Sequence, residues 1–598
     1  MAHPVLICFS RARHQQEPEL PQHMCGIAGF AFGPTPVDSD HLRRFTNALA
    51  HRGPDGADVW TDGVIGFGHR RLSILDLTEA GACPMRVMAP DGRSAIITYN
   101  GEVYNFLELR DELRNAGWQF RSGTDTEVVA AAWLQWGEAA LLRFNGMFAF
   151  AIWEIGARRL VLVRDRFGIK PLFYHGGTRL AFASELKAFL RLDGFRAQMN
   201  HGVAQRLVQD SGPVEGTTNE TLLAGVTQLP GGHLLDIDAE GHGTVRRWWD
   251  SSAHLSDVPH RYEDQVEAFR ALFIDAVRLR LRADVPVGTC LSGGLDSSAV
   301  TGAIAALHAG GSAGPRQLER TATDWQHAFI AAYPGSDLDE QRHAAQVVAH
   351  TGVQAHVIGF DHTRATASVQ QCIWSAESPH GIVSAPVWNL YRNLRKSGVL
   401  VSLDGHGADE LLGGYTTHLR VPRAKLSAHL HTELHHTVLP SILRNFDRAS
   451  MAHGIEVRMP FLDWRVVTFG LALPAESRIG GGFTKRVLRD ATRGLIPDSI
   501  RDRRSKIGFN APLIEWYNSS LNDFLGAVTH LPFFRETSLW DGVQLGRDLR
   551  TRIATVPWGY DDWATLARIS VMASLTIWHR QFIEGVHEPL LERELAHA

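Results

Sequence analysis

The run Val285-Pro286-Val287-Gly288-Thr289-Cys290-Leu291 constrains this chain more than any other feature. A helical pattern over 262–282 leads into it, and a small-residue turn with a further helical pattern follows. A short apolar run bounded in this way reads as a buried strand. Helix and strand then alternate: helix over 297–307, strand over 356–360, helix over 387–397 and strand over 399–403. Strands joined through helices lie side by side in parallel, so the alternation predicts an α/β doubly wound parallel sheet. From Asp409 onward the pattern is mostly helical, and no repeat of 20–50 residues is present.

The first third of the chain reads differently. Short β-like runs at 63–67, 94–99, 148–153, 160–164 and 180–183 are mixed with helical patterns at 40–51, 107–116 and 127–136. Without strict alternation this predicts an α+β domain of packed sheets. Residues 2–23 are polar and read as a disordered leader. The stretch with Pro213, Pro230, Gly231, Gly232 and Gly241 reads as the tail of the first domain or a connector, carrying one short strand, 233–237. The expected division is a leader over 1–24, a first domain over 25–212, a connector over 213–260 and a second domain over 261–598.

Composition limits the function classes. With 44% hydrophobic residues among 598 there is apolar material for more than one core. Lys and Arg number 60 against 64 Asp and Glu, a net charge of -4, which excludes a basic face built for nucleic acid. No apolar run approaches the length of a membrane-spanning helix. The five cysteines include no CxxC pair, which argues against a disulfide framework or cysteine zinc site and suits a reducing cytoplasm.

Cys25 follows Met24 and opens a buried-strand pattern, Cys25-Gly26-Ile27-Ala28-Gly29-Phe30. A thiol near its ordinary pKa of about 8.5 needs a base, and an α-amine at about 7.7–8.0 is well matched. Cleavage after Met24 would give Cys25 its own. Taken alone, Cys25 reads rather as a buried strand cysteine. Further motifs follow in order: His51-Arg52-Gly53-Pro54-Asp55-Gly56, His69-Arg70-Arg71-Leu72-Ser73, Tyr99-Asn100-Gly101-Glu102-Val103-Tyr104, Gly123-Thr124-Asp125-Thr126-Glu127 and Arg164-Asp165-Arg166-Phe167-Gly168-Ile169-Lys170-Pro171. In this set the chain resembles the class II glutamine amidotransferases. The resemblance implies an Ntn-hydrolase-like αββα sandwich in which Cys25 attacks glutamine. It further implies that Arg71 holds the α-carboxylate, Asp125 and Glu102 hold the α-amine, and Asn100 and Gly101 donate to the oxyanion.

The strand over 285–291 runs into Leu291-Ser292-Gly293-Gly294-Leu295-Asp296-Ser297. Small residues ahead of a helix let backbone N–H groups approach an anion, although this is not a Walker pattern. It resembles the pyrophosphate loop of ATP pyrophosphatases. Asp404-Gly405-His406-Gly407-Ala408-Asp409-Glu410, Ser450 to Asp463, Lys485-Arg486 and Lys506-Ile507-Gly508-Phe509 extend the likeness. Taken together, residues 25–580 resemble bacterial type B asparagine synthetases. That implies an adenine nucleotide alpha hydrolase-like second domain with ATP and Mg2+. Leu291, Ser292, Gly293, Gly294, Asp296, Ser297, Asp404 and Gly405 would meet ATP, Asp296 and Asp409 the metal, and Lys506 and His406 the reacting centre.

The implied partners are small molecules: glutamine, ATP, and aspartate or another carboxylic acid. No nucleic acid or membrane is implied, and a homodimer is compatible. Two departures bear on the acid. His406 stands where the family commonly has an acidic residue, a role that Asp404 nearby is placed to take over, and Ala376-Glu377-Ser378-Pro379 replaces the usual Asp-Glu-Pro. The same chemistry on a sugar uronate, peptide or secondary metabolite is therefore an alternative, as is a glutaminase whose ATP half senses or scaffolds. His429, His431, Glu433, His435 and His436 read as a solvated helix face, and 308–326 reads as an inserted loop.

Overall fold

The computed structural model describes residues 25–53, 55–210, 214–310, 318–360, 362–505 and 511–590. Lys506 and the expected leader lie outside them. Twelve strands precede residue 250 in the described chain: β1 (Gly26–Ala31), β2 (Gly56–Asp62), β3 (Ile65–Arg71), β4 (Met85–Met88), β5 (Ser94–Val103), β6 (Gly146–Glu154), β7 (Arg159–Arg164), β8 (Phe173–His175), β9 (Leu180–Ala183), β10 (Thr227–Gln228), β11 (His233–Ile237) and β12 (Gly243–Arg247). They form two six-stranded sheets, ordered β10-β8-β9-β1-β3-β2 and β12-β11-β7-β6-β5-β4. Every pairing in them is antiparallel.

Ile27, Phe67, Ala149, Leu162 and Phe182 fill the space between the sheets. The outer faces are covered as well. Leu42 and Phe45 of helix Ser39–Asn47 pack with Phe30 of β1, and helices Phe106–Asn115 and Asp125–Trp136 bury Leu109, Val128 and Trp133 against β5 and β6. Covering both faces makes the inner strands apolar throughout rather than alternating, as the burial of Met147 to Trp153 shows. This is the αββα sandwich. The segment read as a connector differs from that reading, because β10, β11 and β12 complete the two sheets at their edges. Pro230, Gly231 and Gly232 lie between β10 and β11 and Gly241 between β11 and β12, so turn chemistry masked the pairing.

The second sheet system is parallel: β13 (Val287–Cys290), β14 (His327–Ala332), β15 (Gln354–Gly359), β16 (Val401–Leu403) and β17 (Glu456–Arg458), in the order β15-β14-β13-β16-β17. Central β13 and a strand order that reverses beside it are the doubly wound arrangement. The helix expected to begin at 387 spans Gly381–Lys396 and passes through Pro386, a residue that ordinarily ends helices. Helices make up most of the chain beyond Asp409. None among the described residues is long and apolar enough to cross a membrane.

Candidate active site

In the first half, register brings the expected residues together. Gly26 pairs with Arg70 across β1 and β3, which sets Cys25 level with Arg71 at the strand ends. The Cys25 thiol donates to Leu72 O at 3.6 Å and accepts from Leu72 N at 3.3 Å. Burial pushes it up to about 12, with nearby Glu456 adding to the rise and the Leu72 backbone, Lys170 and Arg71 opposing it. The thiol is thus neutral at ordinary pH, and a nucleophile here needs a base.

Asn100 is buried on β5, and its Nδ2 meets no acceptor among the described residues. A buried amide donor left open in this way is suited to a developing oxyanion. Gly101 follows where β5 presses on β6, and a Cβ there would lie 2.2 Å from Met147 O. Asp125 begins the helix Asp125–Trp136; its Oδ2 accepts from Tyr99 Oη at 2.7 Å and Val103 N at 2.8 Å. Glu102, on the same face of β5 as Asn100, lies 3.2 Å from Arg458 of β17. Burial raises both carboxyls above their ordinary values; Asp125 and Glu456 raise Glu102 further against Arg458, while hydrogen bonds from Tyr99 and Val103 partly hold Asp125 back. A cationic ligand amine would relieve that cost. Arg71 donates to Thr78 O at 2.7 Å and to Asp76 O.

Sequence reasoning missed a buried ionic network joining the two halves. Arg52 donates to Cys25 O at 3.1 Å, pairs with Glu185 at 2.5 Å, and reaches Asp447 of the second half at 3.1 Å. Glu185 also binds His51 and Lys187, both at distances near 2.7 Å or less. Glu377 accepts from Leu186 N and Lys187 N and pairs with Arg448 at 3.2 Å. The Arg52 motif was legible; its partner 395 residues away was not.

In the second half, Leu291 is buried where β13 ends and Ser292 opens the loop. Ser292 Oγ and Ser297 Oγ lie 3.1 Å apart, and Gly294 N donates to Ser292 Oγ. Gly293 has φ +77°, and a Cβ there would strike Ala344 N at 2.5 Å. The loop ends as the N-cap of helix Leu295–His308, which adds its positive dipole end. Gly405 lets the 404–409 loop close onto it, since a Cβ would lie 2.8 Å from the Asp296 backbone.

Asp296 and Asp409 do converge, and Lys485 Nζ stands 2.5 Å from each. Burial works against the Lys485 charge, but the two carboxylates outweigh it and hold its pKa above the ordinary value. Two carboxylates on one cationic centre are a donor set that fits a hard divalent ion.

One expectation for the 404–409 loop needs correction. Asp404 is buried, and its oxygens are taken by Ser402 Oγ at 2.6 Å, Cys290 N at 3.3 Å and Tyr391 Oη at 2.6 Å. It anchors the loop to β13 and offers no carboxylate to replace an acidic residue at 406. His406 packs on Phe446, 3.7 Å between ring centroids, and burial lowers its pKa in spite of Asp404 and Asp409. The position therefore carries a neutral imidazole.

The histidine segment is likewise not simply solvated. His435 turns onto Phe167, and burial lowers its pKa to about 3. His418, His429 and Glu433 cluster within 4.8 Å. His418 Nδ1, however, accepts from Tyr415 N, which leaves the proton on Nε2 facing Glu433 and no lone pair there for a metal.

Comparison with known proteins agrees with both halves. Residues 24–249 match the family described as glutamine amidotransferase domain, and residues 268–429 and 421–580 match that described as asparagine synthase. The chain is 30% identical to asparagine synthetase [glutamine-hydrolyzing] 3 of Bacillus subtilis, over 90% of this chain and 95% of that protein. It is 29% identical to asparagine synthetase B [glutamine-hydrolyzing] of Escherichia coli, over 81% of each. It is also 30% identical to amidase chyE of Penicillium rubens, over 66% of this chain and 59% of that protein.

Proposed function

Because this chain belongs to the asparagine synthase family and is an ATP-dependent ligase drawing nitrogen from glutamine, we propose that the acid it amidates is aspartate and the product asparagine. The observation that carries this reading is the presence, on one shared framework, of an open thiol-amide site and a nucleotide loop faced by converging carboxylates. At the first, Cys25 attacks the glutamine amide, Asn100 Nδ2 and Gly101 N receive the oxyanion, and Arg71 matches the α-carboxylate. The ammonium of glutamine adds positive charge beside Asp125 and Glu102, of which Glu102 also faces Arg458. With the thiol near 12, the base is the Cys25 α-amine, freed by removal of residues 1–24.

At the second site the Ser292–Ser297 loop receives the ATP phosphates and the aspartate side-chain carboxylate displaces pyrophosphate, giving an acyl-adenylate. Ammonia then displaces AMP. Asp296 and Asp409 would hold Mg2+, which would screen the phosphate charge, and Lys485 is placed to move from them toward phosphate. Lys506 is assigned to the departing pyrophosphate. The neutral His406 lies where the acid is to be bound. A small cavity between the halves, lined by Ile169, Lys170, Leu443, Ser450, Val457 and Met459, supports passage of ammonia within the protein. The test is AMP formation with glutamine, ATP and a panel of acids. Asparagine formed with aspartate is the expected result. AMP with a uronate or peptide acid and none with aspartate would redirect the reading, and glutamine hydrolysis with no AMP from any acid would favour a sensing ATP half.

A further inference from the structure

Two residues of the ATP half grip the backbone that carries the glutamine site. Arg71 is clasped by the loop that follows it, through Asp76 O and Thr78 O, and Gly81 of that loop packs so closely that a Cβ would meet Arg71 Nη2 at 2.3 Å. Asp284, three residues before β13, donates its N–H to Ile74 O at 2.9 Å and accepts Asp76 N at 2.8 Å. Arg320 chelates the Asp284 carboxylate and donates Nη1 to Gly123 O. Asp76 closes the circle, accepting Gly123 N at 2.6 Å. Gly123 stands two residues before Asp125. One Asp–Arg pair thus holds the carboxylate clamp and the amine-binding helix start in a fixed relation.

The local backbone shows that this relation is imposed. Asp76 has φ +56° and Arg320 φ +54°, left-handed conformations that non-glycine residues keep only where their surroundings hold them. The support is short and stiff. Arg320 O accepts Ala283 N at 3.1 Å, Arg320 stacks over Phe106, and Asp284 runs through Val285 and Pro286 directly into β13 and the Ser292 loop.

We propose that Arg320 and Asp284 are positioning residues for glutamine binding, supplied by the ATP half to hold the 72–81 loop over Arg71. This rests on the reading of Arg71 and Asp125 as glutamine-binding residues. Neither Arg320 nor Asp284 reaches the reacting atoms, so removal should weaken glutamine binding rather than stop hydrolysis.

The experiment is steady-state glutaminase kinetics on Arg320→Ala, Arg320→Lys and Asp284→Asn, made in a parent chain beginning at Cys25, with ammonia-driven AMP formation assayed beside it. Arg320→Ala is expected to raise KM for glutamine roughly ten-fold or more, with kcat changed less than about three-fold, and to leave ammonia-driven synthesis near the parent rate. Arg320→Lys should recover part of the KM loss and Asp284→Asn should reproduce it. An unchanged KM in Arg320→Ala, or a fall in glutaminase and ammonia-driven activity by the same factor in both non-conservative variants, would overturn the proposal. A parent chain that hydrolyses no glutamine would defeat the underlying reading instead.

Discussion

Cys25 shows how far a single side chain departs from its solution chemistry. An ordinary thiol titrates near 8.5, but burial puts this one at about 12. Its thiolate fraction therefore rises tenfold per pH unit throughout the accessible range. Alkylation of Cys25 by a small haloacetamide in the full-length chain is expected to climb at that slope with no plateau below about pH 10, where an unperturbed thiol levels off. A chain beginning at Cys25 should hydrolyse glutamine, and the full-length chain should not. A plateau near pH 9 would show that burial does not control the thiol. The residue scale was also the most legible from sequence, since Cys25, Arg71, Asn100 and Asp125 sit inside recognisable motifs. Asp404 was misjudged because its role depends on Tyr391 and Ser402, which no motif couples to it.

Among the elements, helix Trp464–Ala472 starts on a buried charge. Its N-cap Asp463 is fully buried and accepts from Arg465 N, from the Arg465 guanidinium, from Arg280 at 3.0 Å and from Asn145 of the first half at 2.8 Å. Burial opposes its charge, but Arg280 and Arg465 outweigh burial and hold the carboxyl well below the usual range. The sign follows: a depressed carboxyl stabilises fully above its unfolded value near 4 and loses that contribution as pH falls below it. Asp463→Ala removes the cap and strands Arg280 in the interior, and is expected to cost about 3–5 kcal/mol in urea unfolding. A loss no larger than that of an exposed cap, about 1 kcal/mol, would contradict the burial argument. Sequence patterns located the strands at 285–291 and 233–237, but left the second inside a stretch read as a connector, because the short β10 and the exposed β12 beside it bury too little to leave an apolar signature.

For the whole molecule, the decisive fact is that one hydrophobic core runs through both halves, from Ala28 and Phe45 to Phe269, Leu403 and Trp578. The Arg52–Glu185–Asp447 network and the Asp284–Arg320 clasp lie on the same boundary. The cavity between Ile169 and Val457 is lined from both halves by this packing. Filling it with Ser450→Phe is expected to leave glutaminase and ammonia-driven synthesis near the parent rates, while glutamate formed per asparagine rises well above one. An unchanged ratio would mean that ammonia does not pass there.

The sequence by itself determined the local parts of each half: Cys25 ahead of β1 with Arg71, Asn100 and Asp125 in their motifs, and a small-residue loop between β13 and a helix. Those are local arrangements, fixed by residues close in the chain or by strand register. Only the tertiary structure decided how the halves are joined, which carboxylates are available and which are spent. Asp284 lies 208 residues from Asp76, and Asp447 lies 395 from Arg52. No periodicity or spacing spans such distances, because partners so remote are chosen by packing of the assembled core and not by the local preferences of the chain.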